Sequence, residues 1–419
     1  MSEHNKTEEF LKKLAPCIER GDLDACVEEA ARVAREMGIG AKEILELSAE
    51  KGRARGYDLS YILALAAAQG LEGEEKAMAF NNAGLAAFSL KKLEIAEKQY
   101  LEAIKVNPNY AKAHTNYAIL LKDLKRFDEA EKQHLKAIKA KPKLAEAHNY
   151  YAILLKDLKR FDEAEKQYLE AIKAKPNYAT AQYNYALLLE KLKRFDEAEK
   201  QYLEAIKSNP NLASAHNNYA NLLKDKALFY EAEKEVRIAL QIKATNPYAL
   251  GTLGDILLAE EYYEEAEKEY KKALKNSASM ETSAVSEIRN NLGFLYAQLK
   301  QYSNARNEFM KAIALEPLNV KAIRNLRKLG KRITPEISKI QICLAVVLLF
   351  SLSVSFYLFW ITRFSETMFA TQSSFLIALL VFIFLYHQLD RFKAGPFEFE
   401  KGTEHRLLEA KSQPLEFER

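Results

Sequence analysis

The 419-residue chain has little of what would mark several other kinds of protein. Its three cysteines, Cys17, Cys26 and Cys343, are too few for a disulfide framework or a four-ligand zinc site. Reduced thiols are therefore expected, with Cys17 and Cys26 as small buried residues and redox sensing as the alternative. Glycine (14) and proline (10) are scarce, which excludes collagen-like or linker-dominated sequence. Neither sign of charge dominates: 62 basic against 58 acidic side chains is too mild a balance for a dedicated nucleic-acid binder. There is no GxxxxGK[ST] phosphate loop, no HExxH zinc helix and no GxSxG elbow. Residues 1–25 are polar and charged, so no N-terminal signal peptide is expected. These absences argue against an enzyme, a resident metal or cofactor, and a small-molecule substrate. What is present is an apolar fraction of 48%, enough for sizeable cores.

The dominant feature is a repeat. Pro108, Pro142, Pro176 and Pro210 are each 34 residues apart, a period to be tested before anything else. Residues 117–133 read YAILLKDLKRFDEAEKQ, residues 151–167 read the same, and residues 185–201 differ at three positions. With position one at Ala77, Ala111, Ala145, Ala179, Ala213, Pro247 and Ser286, positions twenty and twenty-seven are unbroken alanine columns, from Ala96 to Ala305 and from Ala103 to Ala312. Position eight is always small, from Gly84 through Ala118 to Gly293. Tyr117, Ala118 and Leu121 follow the spacing of a helix face, and Phe127, Ala130, Leu135 and Ile138 suggest a second face. Small residues at these positions let two helices approach closely. Asp128 with Glu131 is read as an N-cap with its box partner opening the second helix, and the proline column as its stop.

On these residues the chain resembles the tetratricopeptide repeat (TPR) family over residues 77–319, with one five-residue insertion before Ser286. The family's usual tryptophan at position four is replaced by Phe80, His114, His148, Gln182, His216 and Leu250. The resemblance implies an all-α, right-handed solenoid of helix-turn-helix repeats: 77–110, 111–144, 145–178, 179–212, 213–246, 247–280 and 286–319. One hairpin cannot bury its own apolar face, so stacked neighbours supply the stability and the ends need caps. Residues 1–76, with 16 acids and 11 bases, read as a helical cap or degenerate repeats, broken at Gly21 and Gly38–Gly40. Phe10, Leu11, Leu14 and Ile18 mark its first helix face, and Val320, Ile323, Leu326 and Leu329 mark a final capping helix within residues 320–338.

Beyond the repeats lie two uncharged runs, Ile340–Ile361 and Phe369–Tyr386. At 1.5 Å per residue they are long enough for a C-terminal transmembrane helical hairpin, placed at 339–361 and 369–388. Basic residues flank the pair and only Arg363 lies between the runs, so both termini, the repeats and the charged tail at 389–419 are expected on the cytoplasmic side. The sequence thus predicts an integral membrane protein with two spans.

Candidate functional residues lie on the first helices. Position six carries Asn82, Asn116, Asn184, Asn218 and Asn291, interrupted by Tyr150 and Thr252. The resemblance implies that such a ladder faces the concave groove and holds the backbone of an extended peptide, a task suited to an amide, which both donates and accepts. The alternative is that these amides bond neighbouring repeats. Positions twelve and thirteen carry Lys122/Asp123, Lys156/Asp157, Glu190/Lys191 and Lys224/Asp225, read either as a solvated face or as partner selection by Lys122, Lys156 and Lys224. A TPR subclass that grips C-terminal carboxylates uses lysine at position five, and no repeat here has it. His114, His148 and His216 share position four, but stacked helices hold equivalent positions about 8–10 Å apart, too far for one metal ion. The expected function is a membrane-anchored scaffold that binds a protein partner or extended peptide. The runner-up is a subunit or assembly factor of a membrane complex whose hairpin is the active element.

Overall fold

Alternating helix-forming runs and short turns give antiparallel helix pairs throughout the computed structural model, which describes residues 3–330 and, beyond them, Ser353 and two short strands. The chain falls into two compact units, Met1–Ala215 and His216–Arg419. The first begins with α1 (Glu3–Arg20), α2 (Leu23–Met37), α3 (Ala41–Arg53) and α4 (Tyr57–Gln69). Its paired repeats follow as α5 (Gly73–Ser89) with α6 (Leu93–Val106), α7 (Ala111–Asp123) with α8 (Phe127–Ala140), α9 (Ala145–Asp157) with α10 (Phe161–Ala174), and α11 (Ala179–Lys191) with α12 (Phe195–Ser208). Helix α13 (Ala213–Asp225) leads into the second unit, with α14 (Phe229–Ile242), α15 (Pro247–Ala259), α16 (Tyr263–Lys275), α17 (Thr282–Gln298) and α18 (Tyr302–Leu315). Residues 320–330 are helical, and Phe392–Ala394 pairs antiparallel with Phe397–Phe399.

Among the described residues no helix is long and apolar enough to cross a membrane. Apart from Ser353, the spans expected at 339–361 and 369–388 lie outside the described residues. The localisation read from the sequence, an integral membrane protein with its repeats and termini in the cytoplasm, is corrected on this finding.

Within a repeat, packing follows the alanine columns. The residues at positions twenty and twenty-seven, from Ala96 and Ala103 to Ala305 and Ala312, are fully buried. In three repeats position eight is glycine because the aromatic ring at position twenty-four lies on it. A methyl added at Gly84, Gly254 or Gly293 would come within 2.6–2.7 Å of the Tyr100, Tyr270 or Phe309 ring. The buried stripe of α8 is Ala130, His134 and Ala137, and Leu135, expected on it, is 50% exposed. In α1 the stripe is Phe10, Leu14 and Cys17. In the terminal helix it is Ala322, Asn325 and Leu329 rather than a face through Val320, which is 60% exposed.

Helix ends also differ from expectation. Asp128 is not the N-cap of α8: the cap is Arg126, with no side-chain cap bond, and Asp128 lies in the first turn. The preceding helix ends in a Schellman-type closure. Lys125 N–H donates to Lys122 C=O and Arg126 N–H to Leu121 C=O, with Lys125 in the left-handed region at φ 63°. Lys91, Lys159 and Lys193 repeat this conformation at the same position without glycine. The turn leaves Arg126 free to act between repeats. Its guanidinium donates to Glu129 in its own helix and to Glu97 of the previous repeat, which also accepts from the Tyr117 hydroxyl. Arg160, Glu131 and Tyr151, then Arg194, Glu165 and Tyr185, reproduce the network. Burial pushes the Glu165 carboxyl up, but hydrogen bonds from Arg194 and Tyr185 outweigh it and hold Glu165 below the usual carboxylate range. Glu131→Gln keeps the shape but removes the charge that two donors share, and is expected to cost about 1 kcal/mol, given partial exposure. Urea denaturation at low and high salt checks this, since screening narrows the difference.

The cysteines are corrected as well. Cys17 of α1 and Cys26 of α2 are joined as a disulfide, with Cα atoms 5.5 Å apart, and are not the reduced thiols expected from the cysteine count. Counting shows that a framework is impossible, but one cross-link needs only two cysteines on facing helices. The turn at Gly21 (φ 77°) brings α2 back against α1 and makes that encounter.

In the first unit each second helix packs on the next first helix: α6 on α7, α8 on α9, α10 on α11. Successive first helices also meet directly, α5 with α7, α7 with α9 and α9 with α11, and successive second helices make no comparable contact. First helices therefore approach more closely than second helices, which places them on the inner side of this stretch.

Candidate groove on the first helices

The inner face of the first unit carries two ladders, one of amides and one of charges. Asn116 Nδ2 donates to Asn81 Oδ1 at 2.9 Å, and Asn184 Nδ2 to Asn149 Oδ1 at 3.0 Å. Each bond joins position six of one repeat to position five of the repeat before it. In the second unit Asn325 donates to Asn290 in the same register at 3.0 Å. Asn291 Nδ2 donates to Asp255, and Asn291 Oδ1 accepts from Asn290. Asn218 Oδ1 accepts from Asn217. Asn82 is half-buried with no side-chain hydrogen bond among the described residues. Four of the five candidate asparagines therefore already hold a neighbouring side chain.

Among the described residues, five buried side-chain polar atoms lack partners, from the second repeat to the fifth: His134 Nδ1, Asn149 Nδ2, the Tyr168 hydroxyl, Gln182 Oε1 and Asn217 Oδ1. Asn149 is fully buried, and its Nδ2 has no acceptor. Tyr168 is fully buried, and its hydroxyl has none either. Position six of the third repeat is Tyr150, which is 36% exposed on the inner face. An unpaired buried donor is costly, so Asn149 and Tyr168 are two places where the fold leaves hydrogen-bonding capacity unused.

The charge ladder runs between repeats. Lys122 Nζ donates to Asp157 at 3.2 Å, from position twelve to position thirteen of the next repeat. The next rung lacks its acceptor, because the fourth repeat reverses the order to Glu190–Lys191 and a lysine stands where the third repeat has Asp157. Lys156 is half-buried and makes no ion pair. Burial holds its ammonium below the usual lysine range; Asp157 opposes this, and Lys191 and Lys122 reinforce it. In the second unit Lys224 donates to Asp255 and Asn221. Of the three candidate lysines, Lys122 and Lys224 are bridged and Lys156 is not.

The position-four side chains have local roles. His114 Nε2 contacts the Pro108 carbonyl and its Nδ1 contacts Gln133, His148 repeats this with Pro142 and Gln167, and Gln182 donates to the Pro176 carbonyl. They fasten the proline turn in place of the missing tryptophan. Among the described residues no three His, Cys, Asp or Glu side chains could hold a metal ion. The orphaned donors and the reversed charge pair were missed from sequence. The charge reversal was visible as KD becoming EK, and Tyr168 stands in a column with Tyr100, His134 and Tyr202.

Fold and surface define a helical repeat protein whose first helices line a polar face. Tetratricopeptide repeat models match residues 77–110, 99–132, 152–213, 247–279 and 286–317, and in these stretches the chain is similar to that family. No curated protein matches the sequence. Among solved structures, PilF of Pseudomonas aeruginosa is 20% identical, with a TM-score of 0.46 over 54% of this chain and 98% of that one. A tetratricopeptide repeat protein from Parabacteroides merdae is 18% identical, with a TM-score of 0.46 over 60% of this chain and 98% of that one. YrrB, described as a TPR protein with an unusual peptide-binding site, is 19% identical, with a TM-score of 0.36 over 48% of this chain and 97% of that one.

Proposed function

We propose that the chain is a non-catalytic scaffold whose first-helix face binds an extended segment of a partner protein. The observation that carries this reading is the polar inner face of the first helices, where Asn82 is half-buried with no side-chain partner and Tyr150 is exposed beside the amide ladder of Asn116 and Asn184. Asn82 and the unused amide groups of Asn116 and Asn184 offer donors and acceptors to the backbone of that segment. Asn218 and Asn291 take the corresponding role in the second unit.

The test is crosslinking and pull-down with the full chain and with a variant carrying Asn82→Ala, Asn116→Ala and Asn184→Ala. Asn116→Ala and Asn184→Ala each leave a neighbouring amide oxygen unpaired, at a cost of about 1–3 kcal/mol, so the variant's helical content and melting are checked first. A partner captured by the wild-type chain and lost by the folded variant is the expected result. Equal recovery by both overturns the groove reading.

A further inference from the structure

The turn that closes each first helix is built on a residue that suits it poorly. Among the described residues eight non-glycine residues lie in the left-handed region, at φ between 59° and 65°, and six of these are Arg55, Lys91, Lys125, Lys159, Lys193 and Lys300. A side chain there crowds the following carbonyl, which is why glycine or asparagine usually closes such a helix end. None of the eight is asparagine, and six carry Lys or Arg, although these two types make up only 62 of the 419 residues. Copying of one unit does not account for the choice. Arg55, Lys91 and Lys300 stand in turns that read KGRARG, SLKKLE and AQLKQY, not the repeated LKRF. The helix dipole favours a cation at this end, but any residue of the last turn collects that benefit without entering the left-handed region.

Five of the six form a row on the first unit. The Lys122–Asp157 ion pair, at 3.2 Å, ties the ends of α7 and α9 together, three residues before Lys125 and two before Lys159. Bonds from Arg126 to Glu97 at 2.7 Å and from Arg194 to Glu165 at 2.8 Å fasten their turns to the preceding repeats, and α3 packs on α5 as α5 does on α7. Stacked helices hold equivalent positions about 8–10 Å apart, so the cations form a line and do not gather on one point. All five side chains are exposed, and none makes an ion pair among the described residues. Lys91 and Lys125 approach only rings, 5.8 Å from the centre of Phe88 and 6.0 Å from that of Phe127.

We propose that the row of Arg55, Lys91, Lys125, Lys159 and Lys193 is a docking edge for an extended acidic segment of a partner protein. It does not rest on the groove reading, because these residues close the helix ends and the amide ladder lies within the first helices. Charge and spacing name the occupant. Exposed cations held in fixed register and free of ion pairs complement carboxylates. Three residues of extended chain span about 10 Å, so a carboxylate at every third position meets successive turns. Asp128 and Asp162 stand exposed in the first turns of α8 and α10, just beyond the lysines. A nucleic-acid backbone, charged at every unit, meets these acids as well, whereas a peptide sets neutral residues opposite them.

The probes are fluorescein-labelled peptides of six Glu-Ser-Gly or six Gln-Ser-Gly repeats, and an oligo-dT of similar length, measured by fluorescence anisotropy with the full chain. The Glu peptide is expected to bind about tenfold tighter than the Gln peptide at low salt, an advantage that shrinks as salt rises. A variant combining Lys91→Gly, Lys125→Gly, Lys159→Gly and Lys193→Gly is expected to lose this preference while melting no lower than wild type, because glycine suits the left-handed turn. Lysines kept only for the fold would not give that pair of results. If the glycine variant loses helical content, asparagine at the same four positions takes its place, since it also tolerates this region. Equal binding of the two peptides by the wild-type chain overturns the proposal, and so does a folded variant that keeps the preference. Tighter binding of oligo-dT than of the Glu peptide overturns the acidic protein segment as the occupant and puts nucleic acid in its place.

Discussion

Tyr202→Ala is expected to destabilise the first unit by about 3–5 kcal/mol, the cost of emptying an aromatic site in a core that cannot collapse around it. Tyr202 is fully buried, its ring packs against Tyr183 with centroids 6.2 Å apart, and its hydroxyl is bonded to Glu190. The truncation opens a cavity over Ala186, the position-eight residue of its repeat, and strips Glu190 of its donor. Replacement by phenylalanine separates the two losses. Tyr202→Phe keeps the ring and removes one bond to a charged acceptor, for about 1.5–3 kcal/mol. Tyr168→Phe, one repeat earlier, is expected to be neutral or slightly stabilising, because it removes a buried hydroxyl that has no partner. Urea denaturation of the three variants against wild type gives the comparison. Equal losses for Tyr168→Phe and Tyr202→Phe would contradict the assignment of Tyr168 as unpartnered.

Lowering the pH from 7 to 5 is expected to remove about 2 kcal/mol of stability through His134 alone. The ring is 1% exposed and stacks on Tyr151 at 5.6 Å. Burial, helped by the charge of Lys122, pushes its pKa down from 6.5 to about 3. Because the folded-state value is the lower one, the imidazole stays neutral in the fold while the unfolded chain takes up a proton. The contribution is therefore fully present above about pH 6.5 and is lost progressively as pH falls towards 3. His134→Tyr places there the residue found as Tyr100, Tyr168 and Tyr202, and removes the titrating group. The stability difference between variant and wild type should move in the variant's favour by about 2 kcal/mol between pH 7 and 5. A difference that does not change with pH would rule out His134 as the source.

Both predictions concern position twenty-four, and the column shows how far the sequence could be read. Its 34-residue spacing and its company of small residues at position eight were legible, because repetition makes a packing constraint visible many times over. The contacts between repeats were not. Asn116 looked like a ligand-facing amide, yet it donates to Asn81, which lies 35 residues earlier in the chain and beside it in space. Asp128 looked like a cap, yet the Schellman-type closure of the previous helix sets the turn and gives the N-cap to Arg126.

The sequence by itself determined the helical pairs, the repeat length and the buried alanine columns, because helix periodicity and close packing act locally and recur in every unit. Only the tertiary structure decided which polar groups are used up. Whether Lys122 is bridged and Lys156 is not, whether Tyr202 has an acceptor and Tyr168 none, and whether Cys17 meets Cys26 all depend on the residue that stacking brings opposite. A hydrogen bond or ion pair is a property of two positions held together, and the distance between repeats is set by packing rather than by sequence order.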